Sequence, residues 1–274
     1  MTMRRSPFAL AVLLASLPFS DARADLSPED LAKIAQNPVG NLISFPIQEN
    51  ANLHVGPLED MQSVLNVQPV IPISISSDWN IITRTILPFI WQPAFAPGQG
   101  GVSGIGDAQI SAFLSPANPG GWIWGAGAIV QLPTHSNDRL GNDNAGLGPT
   151  VVVLHLEQGS PWVYGVLVNN VWSIGNSGNP FGNATKYNNG LAQPFVNFNF
   201  ESGAYLTTSP IITVAWQARG SQQWTVPMGA GVGKLFKLGK LPVNTQVAAY
   251  YNVVRPDFAG DWQLRAQVQV LLPK

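Results

Sequence analysis

The sequence has no cysteine, few charges and, past its first residues, no long hydrophobic run. Without cysteine, no disulfide can supply stability, even in an exported protein. Charged residues make up 11% of the chain, against roughly 25% in ordinary soluble domains. The formal net charge is −1, and the lack of a basic excess argues against a nucleic-acid partner. No later stretch reaches the ~18 unbroken apolar residues of a membrane-spanning helix. What is abundant is glycine (27) and proline (23), the composition of a chain with many turns.

The first residues read as a secretory signal. Arg4 and Arg5 form a positive start, Pro7 to Phe19 an apolar stretch too short to span, and Ala22-Arg23-Ala24 a small-x-small cleavage site. The expected organisation is a signal peptide over 1–24, cleaved near Ala24, a short helical segment over 25–39, and a single β-rich body over 40–274. In the second segment Ser27 suits an N-cap, Pro28 the first helical position, and Glu29 and Asp30 the first turn. Leu31, Ile34 and Ala35 give one apolar face. The helix is expected outside the main body, as a lid, a plug or a leader to the first strand.

From Gly40 onward the periodicity is that of strands. The final run shows it best. Trp262, Leu264, Ala266, Val268 and Val270 alternate with Gln263, Arg265, Gln267 and Gln269, so one face is apolar and the other polar. Similar runs occupy 41–49, 62–75, 79–92, 105–114, 122–132, 149–157, 162–173, 191–201, 204–217, 223–236 and 241–254, giving twelve expected strands. Short turns follow the even-numbered runs. Mostly longer, polar connections follow the odd-numbered ones, the first of them over 50–60. An even strand number with loop lengths sorted by end is the layout of an all-β, antiparallel, up-and-down transmembrane barrel. Closure of such a barrel pairs every backbone polar group within the hydrocarbon. Prolines at 69, 72, 88, 194, 210 and 227 predict local breaks.

Tryptophan placement agrees. Trp79, Trp122, Trp124 and Trp162 fall at one end of the strands, and Trp91, Trp172, Trp216, Trp224 and Trp262 at the other. That predicts two interfacial girdles, where an indole buries its ring and keeps its N–H wet.

Particular stretches resemble a family. Asn37 to Gln48, Leu65 to Pro72, Trp79-Asn80 with Arg84 to Pro88, Gly104 to Asp107, Gly121 to Gly125 and Gly148 to Thr150 are similar to the phenol meta-pathway degradation family of bacterial outer-membrane proteins. Some members are labelled as transporters, others misleadingly with the name of a neuropeptide. The resemblance covers nearly all of the chain after the signal. It implies a Gram-negative outer-membrane barrel passing small, hydrophobic or aromatic molecules, and brings no catalytic residues. The chain departs from outer-membrane barrels in ending Leu271-Leu272-Pro273-Lys274 rather than on an aromatic residue.

The chemistry expected of the interior is that of a passive, porin-like channel. Arg84, Asp107, Gln109, Gln193, Asn197, Asn199, Gln246, Arg265 and Gln267 are the leading lumen-lining candidates. Most are neutral amides, which suit uncharged solutes, and Arg84, Asp107 and Arg265 could form a salt-bridged set. Each could equally serve only to fill the barrel. A lipid hydrolase is the enzymatic alternative, resting on His135-Ser136, and His155 is expected to face the lumen with Glu157. A scaffold or adhesion barrel is the third, its work done by loops 133–147 and 174–190. Asp138, Asn142, Asp143 and Asn144 are oxygen ligands without EF-hand spacing, and read better as solvated loop. Gly233-Lys234 lacks the rest of a phosphate-binding loop. No enzyme activity, cofactor or metal is expected. The expected partners are the outer-membrane bilayer, a small-molecule solute and the barrel-insertion machinery.

Overall fold

The computed structural model describes residues 27–175 and 185–272. The expected signal segment, part of the loop after the seventh run, and Pro273 and Lys274 lie outside them. One α-helix, α1 (Pro28–Ala35), precedes β1 (Ile43–Val55), β2 (Asp60–Val67), β3 (Val70–Ser74), β4 (Trp79–Gln92), β5 (Val102–Ile105), β6 (Ala108–Pro116), β7 (Trp122–Leu132) and β8 (Ala145–Leu156). There follow β9 (Trp162–Ile174), β10 (Asn188–Asn199), β11 (Ala204–Thr208), β12 (Ile212–Ala215), β13 (Trp224–Leu238), β14 (Leu241–Val254) and β15 (Trp262–Leu272).

These 15 strands form one sheet. Three staves of the wall are each broken in two, as β2–β3, β5–β6 and β11–β12, so the wall is a closed 12-strand antiparallel barrel. Closure joins β15 to β1, in register from Leu272 opposite Ile43 to Trp262 opposite Leu53. Among the described residues every stave of the wall has a partner on both sides, as a barrel in hydrocarbon requires. Two of the breaks contain proline, which cannot donate to the ladder. Pro69 separates β2 from β3, and Pro210 lies between β11 and β12.

Connections 75–78, 117–121, 157–161, 200–203 and 239–240 lie at the end that carries α1, here the inner end. The others lie at the outer end. The first of these differs from expectation. β1 runs on to Val55, leaving only 56–59 as a turn. The polar run that suggests a loop is lumen wall instead. Asn52 Nδ2 donates to Gln62 Oε1 (2.8 Å) and Gln263 Nε2 to Asn52 Oδ1 (2.9 Å), so the amides satisfy one another across three strands.

Alternation sets the two faces. Along β15, Trp262, Leu264 and Val268 are exposed on the outer wall, while Arg265, Gln269 and Leu271 are buried inside. The interior is not uniformly polar. Towards the inner end it is filled by Val39, Val70, Ile82, Phe113, Ile123, Val152, Leu154, Val163, Leu167 and Phe195. Small barrels fill their interiors with side chains, and here hydrophobicity no longer separates inside from outside. This reverses β8 relative to expectation. Val152 and Leu154 point inward, and His155 points out, stacked on Tyr164 (5.2 Å between ring centres) and edge-on to Trp122.

Helix α1 is capped by Ser27, whose Oγ accepts from Asp30 N (3.0 Å). It does not lie outside the body. Ala32 packs with Tyr205, Leu235 and Leu271 inside the inner mouth, with Leu31, Ala35 and Leu42 around them. Gln36 Nε2 donates to Asn199 Oδ1 (2.7 Å), and Gln269 Nε2 to the Ala35 carbonyl (3.3 Å). Lys33, 2% exposed, is compensated by Glu29 at 2.7 Å one turn earlier. The sequence periodicity reveals the helix but not its seat, because its apolar face is one short stripe that any apolar surface could cover.

Candidate solute pathway

Three cavities occupy the interior. The inner one, about 150 Å³, is lined by Gln36 and Pro38 from the plug and by Gln48, Gln68, Val70, Arg84, Leu167, Gln193, Phe195, Asn197, Gln246, Arg265 and Gln267 from the wall, among others. The middle one, about 280 Å³, is lined by residues including Asn50, Asn52, Asn66, Gln109, Ser111, Asn169 and Gln263. Gln48, Gln68, Arg84, Leu167 and Gln193 line both and form the waist between them. The outer one, about 340 Å³, shares Gln109, Asn169, Leu191, Thr213 and Thr225 with the middle one and opens among Gln131, Asn189 and Gln223.

The expected lumen residues therefore divide. Arg84 and Gln193 stand at the waist, Asn197, Gln246, Arg265 and Gln267 in the inner chamber, and Gln109 between the outer two. Asn199 lines none of them. Its amide is held by Gln36 and by the Pro161 carbonyl (3.0 Å), at the seam between plug and wall. Asp107 is also spent on structure. Its carboxylate accepts from His135 Nδ1 (2.7 Å), Asn142 N (2.7 Å) and Gln131 Nε2 (3.3 Å), anchoring loop 133–144 at the outer end.

A salt-bridged set of Arg84, Asp107 and Arg265 is consequently not formed. Arg84 Nη2 donates to Gln68 Oε1 (2.6 Å). Arg265, 3% exposed, donates to Asn50 Oδ1 (3.1 Å), the Ser209 carbonyl (2.9 Å) and Gln263 Oε1 (3.0 Å), and lies over the Tyr250 ring at 4.8 Å. The β11–β12 break makes part of this possible, since it takes Ser209 out of the ladder and turns its carbonyl inward. Tyr250 also fits the site, donating or accepting at Ser209 and passing beneath Arg265. Gln48, Gln68 and Ser209 line the inner chamber and Tyr250 packs behind it, although none is among the leading sequence candidates. The signal for Tyr250 was there, since it shares the parity of Asn244 and Gln246 on β14.

Loop 133–144 is pinned rather than merely solvated. His135 Nε2 lies 3.1 Å from Asp143, Arg139 donates to the Gly100 carbonyl (2.8 Å), and Asn142 Nδ2 donates to the Thr185 carbonyl (2.7 Å). Tyr187 donates to the Asn144 carbonyl (3.2 Å), and burial, then the negative charge of Asp107, push its hydroxyl up to about 12. Ser136 Oγ accepts from Ile105 N (3.0 Å). Among the described residues no serine is hydrogen-bonded to any of the three histidines, since His54 joins Asp261 (2.7 Å) and His155 sits on the outward face among the aromatic residues of the inner end. Desolvation alone would raise the Asp261 carboxyl, but the hydrogen bond and charge of His54, together with the backbone N–H groups of Trp262 and Asp261, hold the group below its usual range.

The nine tryptophans are all on the outer wall, at least a third exposed. Trp79 meets Trp124 edge-on (5.9 Å) at the inner end and Trp216 meets Trp224 (5.6 Å) at the outer end. Trp91, Trp122, Trp162, Trp172 and Trp262 complete the two rows at the strand ends.

The closed wall, the outward aromatic rows and the polar axial cavities define an outer-membrane β-barrel. Among solved structures the chain is similar to an outer membrane channel from Pseudomonas putida F1, with a TM-score of 0.62 and 17% identity over 86% of this chain and 96% of that one. It is also similar to the NanC porin, with a TM-score of 0.51 and 9% identity over 85% of this chain and 100% of that one. No protein-family model and no curated protein sequence matches it.

Proposed function

We propose that this protein is a passive outer-membrane channel for small, mostly uncharged solutes, hydrophobic and aromatic ones among them. The observation that carries the reading is the series of three amide-lined chambers between the outer mouth and the α1 plug. Uncharged amides offer donors and acceptors to a passing solute without trapping an ion, and a channel must bind weakly enough to release. The similarity to an outer membrane channel supports the barrel on which this depends. The resemblance to the phenol meta-pathway degradation family supports the hydrophobic end of the solute range. Export after cleavage near Ala24 and delivery by the barrel-insertion machinery belong to the same reading, with the tryptophan rows as interfacial girdles.

The reading takes the protein to be no enzyme. His135 is held by Asp107 and Asp143, so a hydrolase would have to dismantle an outer-loop anchor to free its base. The experiment is direct. Purified protein in planar bilayers is expected to give discrete conductance steps, and proteoliposomes to take up a small neutral solute such as phenol faster than protein-free vesicles. No steps and no added uptake would defeat the channel and leave a scaffold barrel.

A further inference from the structure

Among the described residues, the two arginines of the lumen have no acidic partner. The acidic residue expected to pair with them, Asp107, is committed to His135, Asn142 and Gln131. Arg84 and Arg265 are the charged residues lining the inner chamber, and no Asp or Glu lines it or the middle one among the described residues. Their hydrogen bonds run to neutral acceptors: Gln68 for Arg84, and Asn50, Ser209 and Gln263 for Arg265. Arg84 spends one N–H of its fork on Gln68 and stays partly accessible, and the accessible part faces the two chambers it borders.

Buried charge is normally paired, because taking it from water is costly without a counter-charge. A guanidinium offers five donors in a planar fork matched to a carboxylate. Low-dielectric walls also focus the field of two like charges along a narrow passage, and rings of Arg or Lys are how pores select anions. Across the inner chamber from them, β9 and β10 contribute the apolar Leu167 and Phe195, with Gln193 and Asn197 alongside. The chamber thus offers two cations on one side and an apolar patch on the other.

We propose that Arg84 at the waist, with the charge of Arg265 behind it in the inner chamber, forms an anion-binding site that takes the carboxylate of a small organic acid, with the apolar body of that acid against Leu167 and Phe195. The inference rests on the channel reading and narrows it. The neutral amides let small uncharged molecules pass, while the arginines favour small molecules that bear one negative charge and an apolar remainder.

The test uses the full mature chain, folded in detergent, with benzoate as probe and benzamide as its neutral counterpart of the same shape. Titration calorimetry is expected to show benzoate binding at least tenfold tighter than benzamide. Arg84→Gln should abolish that preference and Arg84→Lys should restore part of it, with heat-modifiable gel migration confirming a folded barrel in each. Equal binding of the two probes, or an unchanged preference in Arg84→Gln, would overturn the inference. Bilayer measurements under a salt gradient separate this from the channel itself. An anion-directed reversal potential that falls in Arg84→Gln supports the site. Conductance with no anion preference rejects the site and leaves the channel standing. Benzoate preference without any conductance does the reverse.

Discussion

Glu49 is a carboxyl on the outer wall. On β1 it alternates with the buried Gln48 and Asn50 and shares the face of the exposed Phe45 and Ile47. Its strand neighbours are Ala266 on β15 and Leu65 on β2, well inside the apolar band below Trp262. One partner reaches it, Ser63 Oγ at 2.6 Å. Asn170, the other polar side chain conspicuous on that wall, is better served. It accepts from Trp216 Nε1 (2.8 Å) and donates to Asn188 (2.7 Å), close to the outer tryptophan row. An acidic group on the lipid face costs less than a basic one but still destabilises, by an amount that grows with depth. Glu49→Leu should therefore stabilise the barrel in liposomes by about 1 kcal/mol, after the loss of the Ser63 hydrogen bond, and raise its urea midpoint. A lowered midpoint would put Glu49 outside the hydrocarbon.

At the scale of elements, β13 shows how wall and plug are joined. Tyr205 on β11, 1% exposed, lies flat over Gly233 and packs with Ala32 of α1 and with Leu235 and Leu271. Its hydroxyl donates to Asn244 (3.0 Å), which fixes the ring. A Cβ at position 233 would enter that ring, so Gly233→Ala forces either the tyrosine or the strand to move. Overpacking of this kind costs about 1–3 kcal/mol, and the thermal midpoint should drop accordingly; an unchanged midpoint would mean that Tyr205 swings aside freely. Strands of this sort differ in how far they can be read in advance. β15 was legible because an apolar wall and a polar lumen stamp opposite characters on its two faces. The second half of β1 was not, because Asn50 and Asn52 look like loop residues until their partners on β2 and β15 are known. The sequence of β8 misleads because Val152 and Leu154 face a packed interior while Val151 and Val153 face outward, so both sides are apolar and His155 gives no direction. For the pathway, the inward amides and arginines could be placed by parity, but their pairing could not. Whether Arg84 meets Asp107 depends on how loop 133–144 folds over the outer mouth, and that is long-range information.

The whole molecule is a closed wall around an interior with two different ends. The outer end is held by loop hydrogen bonds centred on Asp107, and the inner end by α1. The wall does not depend on the helix, since the barrel closes through β15 and β1 with eleven residue pairs in register, Ile43–Leu272 to Leu53–Trp262. The helix depends on the wall. Its contacts are a small apolar cluster around Ala32 and the side-chain bonds Gln36–Asn199 and Gln269–Ala35. An isolated helix of this length would not be stable in water. Such a segment belongs to the weakly held part of a structure, where local opening costs far less than global unfolding. Because the inner chamber ends against Ala35, Gln36 and Pro38, removing the plug should open the passage without dissolving the barrel. Deleting residues 27–36 from the mature chain is expected to raise single-channel conductance several-fold while heat-modifiable migration persists. If conductance stays at the wild-type value in a folded barrel, the narrowest point is the waist at Arg84 rather than the plug, and Arg84→Ala in the same background should then raise it.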